Sequence, residues 1–267
     1  MVVALPLMTE AGYRVYGWLK NMRHPIGTQP RSEDITQFVG GALMLVSLLL
    51  GFTVTSASDR FEARREMIAG EANEITTTYL RSQLFAEPVR SRLTEFVKQY
   101  ARHRQEMIKS FGDTAKESRA ADAVESDQRL LWQATIEALS QTGSEAVRAQ
   151  FLVSMNGMLD SADFTYSAME AKTPPKIAAI IAVFSLLAAA LVGYQLGAIE
   201  KRYPFVSTVV FLMFAITIML IVDLDDPGAG FIGVGTAPLQ RATDWMSRSE
   251  AVRIEPRSAP PAGMHRE

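Results

Sequence analysis

Residues Ile35 to Ala57 read ITQFVGGALMLVSLLLGFTVTSA, a stretch without a single charge. An α-helix rises 1.5 Å per residue, so about 20 apolar residues cross the ~30 Å hydrocarbon core of a bilayer. This stretch is long enough. Ile177–Ile199 and Phe205–Val222 are two further uncharged runs, the last densest in Val, Ile, Phe and Met. Only Glu200-Lys201-Arg202-Tyr203-Pro204 separates them, which predicts an antiparallel hairpin with Tyr203 at the membrane–water interface. Three such runs in 267 residues argue against buried helices of a soluble protein. The expected fold is all-α, an integral membrane protein with three transmembrane helices and a separate helical bundle.

Averages conceal this division. The chain is 48% hydrophobic and 21% charged with a net charge of -2, but the charge concentrates between Asp59 and Lys172. That balance, with no basic stripe, excludes an electrostatic nucleic-acid footprint. The absence of cysteine excludes disulfides and thiolate chemistry. His24, His103 and His265 are too scattered for a metal site. No phosphate loop, nucleophile elbow or paired-histidine motif occurs, so neither a cofactor nor an enzymatic activity is expected.

The expected order is an N-terminal segment at 1–34, a membrane helix at 35–57, a helical bundle at 58–173, membrane helices at 177–199 and 205–222, and a tail at 223–267. The tail's Pro, Ala, Ser and charged residues predict disorder from about 247. At the N-terminus, Met1–Met8 is apolar, but Glu10, Arg14 and Lys20 follow it, and neither the basic start nor the cleavage site of a signal peptide is present. An interfacial helix and a partial fourth membrane helix both remain open there.

No turn signal follows Ala57, so the first membrane helix is predicted to continue to about Leu84. Phe61, Arg65, Ile68, Ala72, Ile75 and Tyr79 would form one face of that extension. Pro88 suits the start of a second helix, whose stripe is Val89, Leu93, Phe96, Val97, Tyr100, Met107, Ile108 and Phe111. Asp113 and Ser144 are N-cap candidates for two more helices. Their stripes are Val124, Leu130, Leu131, Ala134 and Ala138, then Val147, Phe151, Met155, Met158, Ala162, Tyr166 and Met169. Four amphipathic helices with short joints predict an antiparallel bundle, with the methionines as core. The acid and amide groups of Glu71, Asn73 and Glu74 are expected to be solvated.

Two polar features remain. Ser47, Gly51, Thr55 and Ser58 recur at helical spacing, a pattern that serves close helix packing or a polar pore wall. Asp223, Asp225 and Asp226 end the third membrane run. They are weak candidates for a hard cation, because Pro227 and Val234 stand where an EF-hand needs ligands. The expected metal content is none.

The junction Gly51-Phe52 with Ser58-Asp59-Arg60-Phe61-Glu62-Ala63-Arg64 resembles the bestrophins, a family of oligomeric anion channels. The whole chain is more similar to the bestrophin-like family of mainly bacterial membrane proteins. The resemblance rests on Leu50-Gly51-Phe52-Thr53, Asp59 to Arg65, Glu71-Ala72-Asn73, Tyr79-Leu80-Arg81, Asp223-Leu224-Asp225, Gly230-Phe231-Ile232 and Pro238-Leu239, between about Gly12 and Leu239. Bestrophins carry an extra aromatic before the Glu and an Arg near Thr53; this chain has neither. The family order has one more spanning helix at its start, which points to a shortened N-terminus.

The resemblance implies a homo-oligomer in the bacterial inner membrane, with the helical insert and C-terminus cytoplasmic. Charge counting is neutral on sidedness, since Arg14, Lys20, Arg23, Arg31, Lys201 and Arg202 balance Arg60, Arg64, Arg65, Lys172 and Lys176. It also implies an ion channel with pore-lining or packing candidates Leu45, Ser47, Leu49, Gly51, Phe52 and Thr55. Leu45, Leu49 and Phe52 would form a hydrophobic constriction. Asp59, Arg60, Glu62, Arg64, Glu71, Asn73, Asp223 and Asp225 carry the family motif. The alternative is a non-conducting membrane scaffold whose cytoplasmic bundle binds a protein partner.

Overall fold

A computed structural model of the chain describes residues 3–22, 32–228 and 232–254. Arg23, His24, Arg31, Gly230, Phe231 and His265 lie outside the described residues. Among those described there are eight α-helices and no strand: α1 Ala4–Met22, α2 Ser32–Ser82, α3 Val89–Lys109, α4 Thr114–Gln141, α5 Glu145–Glu170, α6 Pro175–Ala198, α7 Pro204–Asp225 and α8 Ala237–Ile254. They divide into two compact units, with α2 contributing its first half to one and its second half to the other.

The first unit holds α1, α2 up to Glu62, α6 and α7. Here α2, α6 and α7 are long and apolar enough to cross a membrane, yet only 17%, 28% and 17% of their most apolar windows are buried. Helices of a soluble core would hide those windows; these leave them to lipid or to neighbouring subunits. The protein is an integral membrane protein. Prolines open both helices of the hairpin, at Pro175 and Pro204, where a missing N–H costs nothing. Val46, Leu50 and Ala57 of α2 pack with Ile181 and Ala188 of α6 and Ile221 and Leu224 of α7.

The N-terminal segment forms one helix that lies against α6 in the same direction. Leu5 is fully buried with Ala189 and Phe211, and the Tyr16 ring meets Tyr194 edge-on. The crossing is close enough to need glycine on both helices. A Cβ on Gly12 would fall 1.9 Å from the Ala190 carbonyl oxygen, and one on Gly193 1.8 Å from that of Thr9. Small residues provide this approach in lipid, where the hydrophobic effect gives helices no reason to associate. Lys20 at the end of α1 pairs with Glu200 in the hairpin turn. The hydrogen bond from Lys20 holds the Glu200 carboxyl below its usual range.

The second unit holds the rest of α2 with α3, α4, α5 and α8. Hydrogen bonds run from Thr78 to the Ser154 carbonyl and from Thr165 to the Met67 carbonyl, so α2 and α5 are antiparallel. Gln99 and His103 meet Asp127, and Arg92 meets Glu137, so α3 and α4 are antiparallel too. Asp113 caps α4, accepting from the Lys116 N–H at 3.3 Å. Phe151, Met155 and Met158 are at most 1% exposed, so the methionine stripe is core. Each such side chain contributes about 1.5–3 kcal/mol by leaving water.

Several expectations need correction here. Leu130 is 37% exposed, and Leu131 takes the inward position. Arg65 is exposed, while its neighbour Arg64 is fully buried on the inner face. The segment after Val234 is α8, whose Leu239, Ala242 and Met246 join the bundle core, and Tyr79 donates to the Met246 carbonyl. Helix therefore replaces the disorder expected from 247 as far as Ile254; residues 255–267 lie outside the described residues.

Candidate functional site

Within the first unit, α2 presents three different faces. At 3.6 residues per turn successive side chains are about 100° apart. Val39, Val46, Leu50 and Ala57 share one line and are all buried against the chain's own helices. Ser47, Gly51 and Thr55 lie about 120° away from it and are exposed, with open space around Gly51. Leu45, Leu49 and Phe52 cluster on the remaining third; Leu45 is 50% and Phe52 66% exposed, and Leu49 is half-buried. The pore and packing candidates are thus two separate faces, and among the described residues both are exposed apart from the half-buried Leu49. Thr55 donates to the Gly51 carbonyl at 3.2 Å, so its hydroxyl is satisfied within the helix.

About two turns after Phe52, at Arg60, α2 is anchored. The Arg60 guanidinium donates from Nε to Asp225 Oδ1 at 3.0 Å, from Nη1 to Ser56 Oγ at 2.8 Å, and from Nη2 to Thr173 Oγ1. Asp225 Oδ2 accepts the Thr173 N–H at 2.7 Å. This carboxylate lies just before the N-terminus of α6, where the helix dipole favours negative charge. With side chains 22% and 15% exposed, the pair is largely sheltered from water. Asp225 therefore does more than end a helix in solvent: it joins α2, α6 and α7.

Asp223 and Asp226 point elsewhere. Asp223 Oδ2 accepts the Ile232 N–H at 3.0 Å, and Asp226 accepts the Gly228 N–H at 3.3 Å with Lys172 Nζ at 3.6 Å. The three acids are each engaged by separate donors. Among the described residues no group of three acid or histidine side chains is placed to hold a metal ion. A cavity of about 240 Å³ opens beside this joint, between Ile181 of α6 and Ile221 of α7.

In the second unit the motif residues again separate by face. Arg64 donates to the Ala168 carbonyl at 3.1 Å from a fully buried position. Glu71 is also fully buried and receives Arg104 on both oxygens, with Nη2 at 2.9 Å, contrary to the solvated role expected for it. Burial pulls the Arg104 guanidinium down, but the hydrogen bond and charge of Glu71 more than offset this and leave it above its ordinary value. The neighbouring Tyr100 hydroxyl is buried, and that burial pushes its pKa upward. Asp59, Glu62 and Asn73 are exposed. Arg104, Thr173 and the Gly12–Gly193 crossing escaped the sequence reading. Only Gly193-x-x-x-Gly197, a small-residue repeat within an apolar run, was a usable signal for any of them.

A helical membrane unit with a parallel N-terminal helix, a hairpin, and a helix shared with a helical bundle defines the fold class. The same fold occurs in solved structures of a bacterial bestrophin homologue from Klebsiella pneumoniae, examined as point mutants. One has a TM-score of 0.69 at 15% identity, covering 94% of this chain and 97% of that one. Another has a TM-score of 0.67 at 15% identity, covering 96% and 98%. Residues 16–239 match the Bestrophin-like domain, and the chain belongs to that family. No curated protein matches it significantly.

Proposed function

We propose that the chain is one subunit of a homo-oligomeric ion channel, for anions, in the bacterial inner membrane, with the helical bundle in the cytoplasm. The observation that supports it is the three-way division of α2. A helix in an inner ring must contact its own subunit, its neighbour and the axis, and those needs fall about 120° apart. In this reading Val46 and Leu50 hold α2 to its own chain. Ser47, Gly51 and Thr55 admit the neighbouring subunit's helix closely. Leu45, Leu49 and Phe52 then face the axis as a constriction that gates by dewetting. Two faces of α2 left uncovered in one chain are what such a ring would use. Anion preference and sidedness are carried over from the bestrophins.

Reconstitution in planar bilayers tests this. Channel currents are expected, with a reversal potential across a salt gradient set by the anion. A well-folded oligomer without conductance across salt, pH and calcium conditions refutes it. Co-purification of one stoichiometric protein with that silent oligomer would establish the scaffold instead.

A further inference from the structure

We infer that the cavity beside the Arg60–Asp225 joint is a binding site for one phospholipid with a zwitterionic, primary-amine headgroup. Its walls are Ile181 and Ala182 of α6 with Ile218 and Ile221 of α7, and its volume is about 240 Å³. Most of the lining surface is apolar, with Thr53 and Thr173 also on it, and an open apolar cleft on membrane-spanning helices is filled by hydrocarbon in preference to water. Lys172 and Asp226 stand at its polar end. That end coincides with the last turn of α7 and the residues just before α6, where the apolar spans meet water. Hydrocarbon walls and a charged rim at the membrane boundary match an amphiphile rather than a soluble solute.

The rim also selects the headgroup. Asp225 is already held by Arg60 and the Thr173 N–H, so its charge is neutralised within the protein. Lys172 and Asp226 remain, one positive and one negative, and they face each other at 3.6 Å with side chains 52% and 39% exposed. Exposed pairs at that length are worth little to the protein itself. A phosphate on Lys172 and an ammonium on Asp226 would satisfy both charges. Phosphatidylethanolamine supplies both groups. Phosphatidylcholine has no N–H to give Asp226, and phosphatidylglycerol has no cation at all.

The test is native mass spectrometry on the full-length protein in detergent, given equal amounts of phosphatidylethanolamine, phosphatidylcholine and phosphatidylglycerol. One phosphatidylethanolamine per chain is expected to be retained about threefold over the other two, because all three lipids offer Lys172 a phosphate and the one exposed ammonium contact to Asp226 separates them. The surface variant K172A/D226A should lose this preference and still bind lipid, and A182F should fill the cavity and lower retention of all three. Equal retention of the three lipids by the unmodified protein overturns the inference. So does a preference that survives K172A/D226A, whose substitutions leave the apolar packing intact if A182F does not fold.

Discussion

Replacing Gly193 by alanine adds one methyl group at the point where α6 passes closest to α1. That carbon would sit 1.8 Å from the Thr9 carbonyl oxygen and 2.9 Å from the Thr9 Cα. Carbon and carbonyl oxygen rest no closer than about 3.3 Å, so the helices must part by roughly 1.5 Å at the crossing. Both obstacles are backbone atoms, which cannot swing aside as a side chain would. Overpacking of this kind costs about 1–3 kcal/mol. A change of that size lowers the melting midpoint by roughly 2–12 °C in a chain of this length. The absence of native cysteine allows a direct geometric assay. A Cβ on Gly197 lies 2.9 Å from that of Tyr16, so with a shift of about 0.6 Å to reach the short end of the disulfide range Y16C/G197C should cross-link on oxidation. Adding G193A should slow cross-linking severalfold and reduce the melting midpoint. G51A, which meets nothing within the chain, should do neither. If G193A cross-links at the parental rate and melts with the parent, the close crossing is not present.

At the joint, D225A and R60A should each destabilise by about 2 kcal/mol, the cost of leaving a sheltered charge without its hydrogen-bonded partner; thermal unfolding in detergent reads this. R60K should fail to restore stability, because an ammonium cannot reach Asp225, Ser56 and Thr173 from one planar fork. In the bundle, E71L or R104M should cost about 3–5 kcal/mol by denaturant unfolding, and the apolar pair E71L/R104M markedly less, so that the double-mutant cycle shows strong coupling. On α2, F52A should raise single-channel conductance, and G51L should break the oligomer in size-exclusion chromatography while leaving helix content unchanged. Conductance untouched by F52A would remove that residue from the constriction.

The membrane helices were legible because bilayer thickness imposes a length, and uncharged runs of that length are conspicuous. The bundle stripes were legible for a related reason: Leu93, Val97 and Tyr100, or Phe151, Met155 and Met158, repeat at the helical period and are buried as expected. What escaped has a common physical origin. Polar pairing depends on which distant residue arrives opposite, and local pattern carries no trace of it. Glu71 looked like one more solvated acid, yet Arg104, 33 positions away, reaches it inside the bundle. Asp225 looked like a helix terminator until Arg60 and Thr173 came round to it. The α8 helix was missed because its few core residues, Leu239, Ala242 and Met246, are diluted among polar ones in a segment whose composition favours disorder.

The motif that carried the family resemblance divides by face, and the division says what each half is for. Arg60, Arg64 and Glu71 fall on the inward line of α2 and end in hydrogen bonds: to Asp225 and Thr173, to the Ala168 carbonyl, and with Arg104. These three hold α2 to the helices of its own chain, so their substitution should appear first as lost stability. Asp59, Glu62 and Asn73 are exposed, and Asp59 and Glu62 follow directly from the outward faces that carry Phe52, Gly51 and Thr55. Being exposed, Asp59 and Glu62 are open to whatever those faces meet, which under the proposed function is a neighbouring subunit. Of the motif's charged residues on α2, Asp59 and Glu62 are outward, on the same helix whose apolar outward faces the proposed ring of subunits would need, so that under the proposed function these two are the ones to test for assembly, and Arg60, Arg64 and Glu71 for folding.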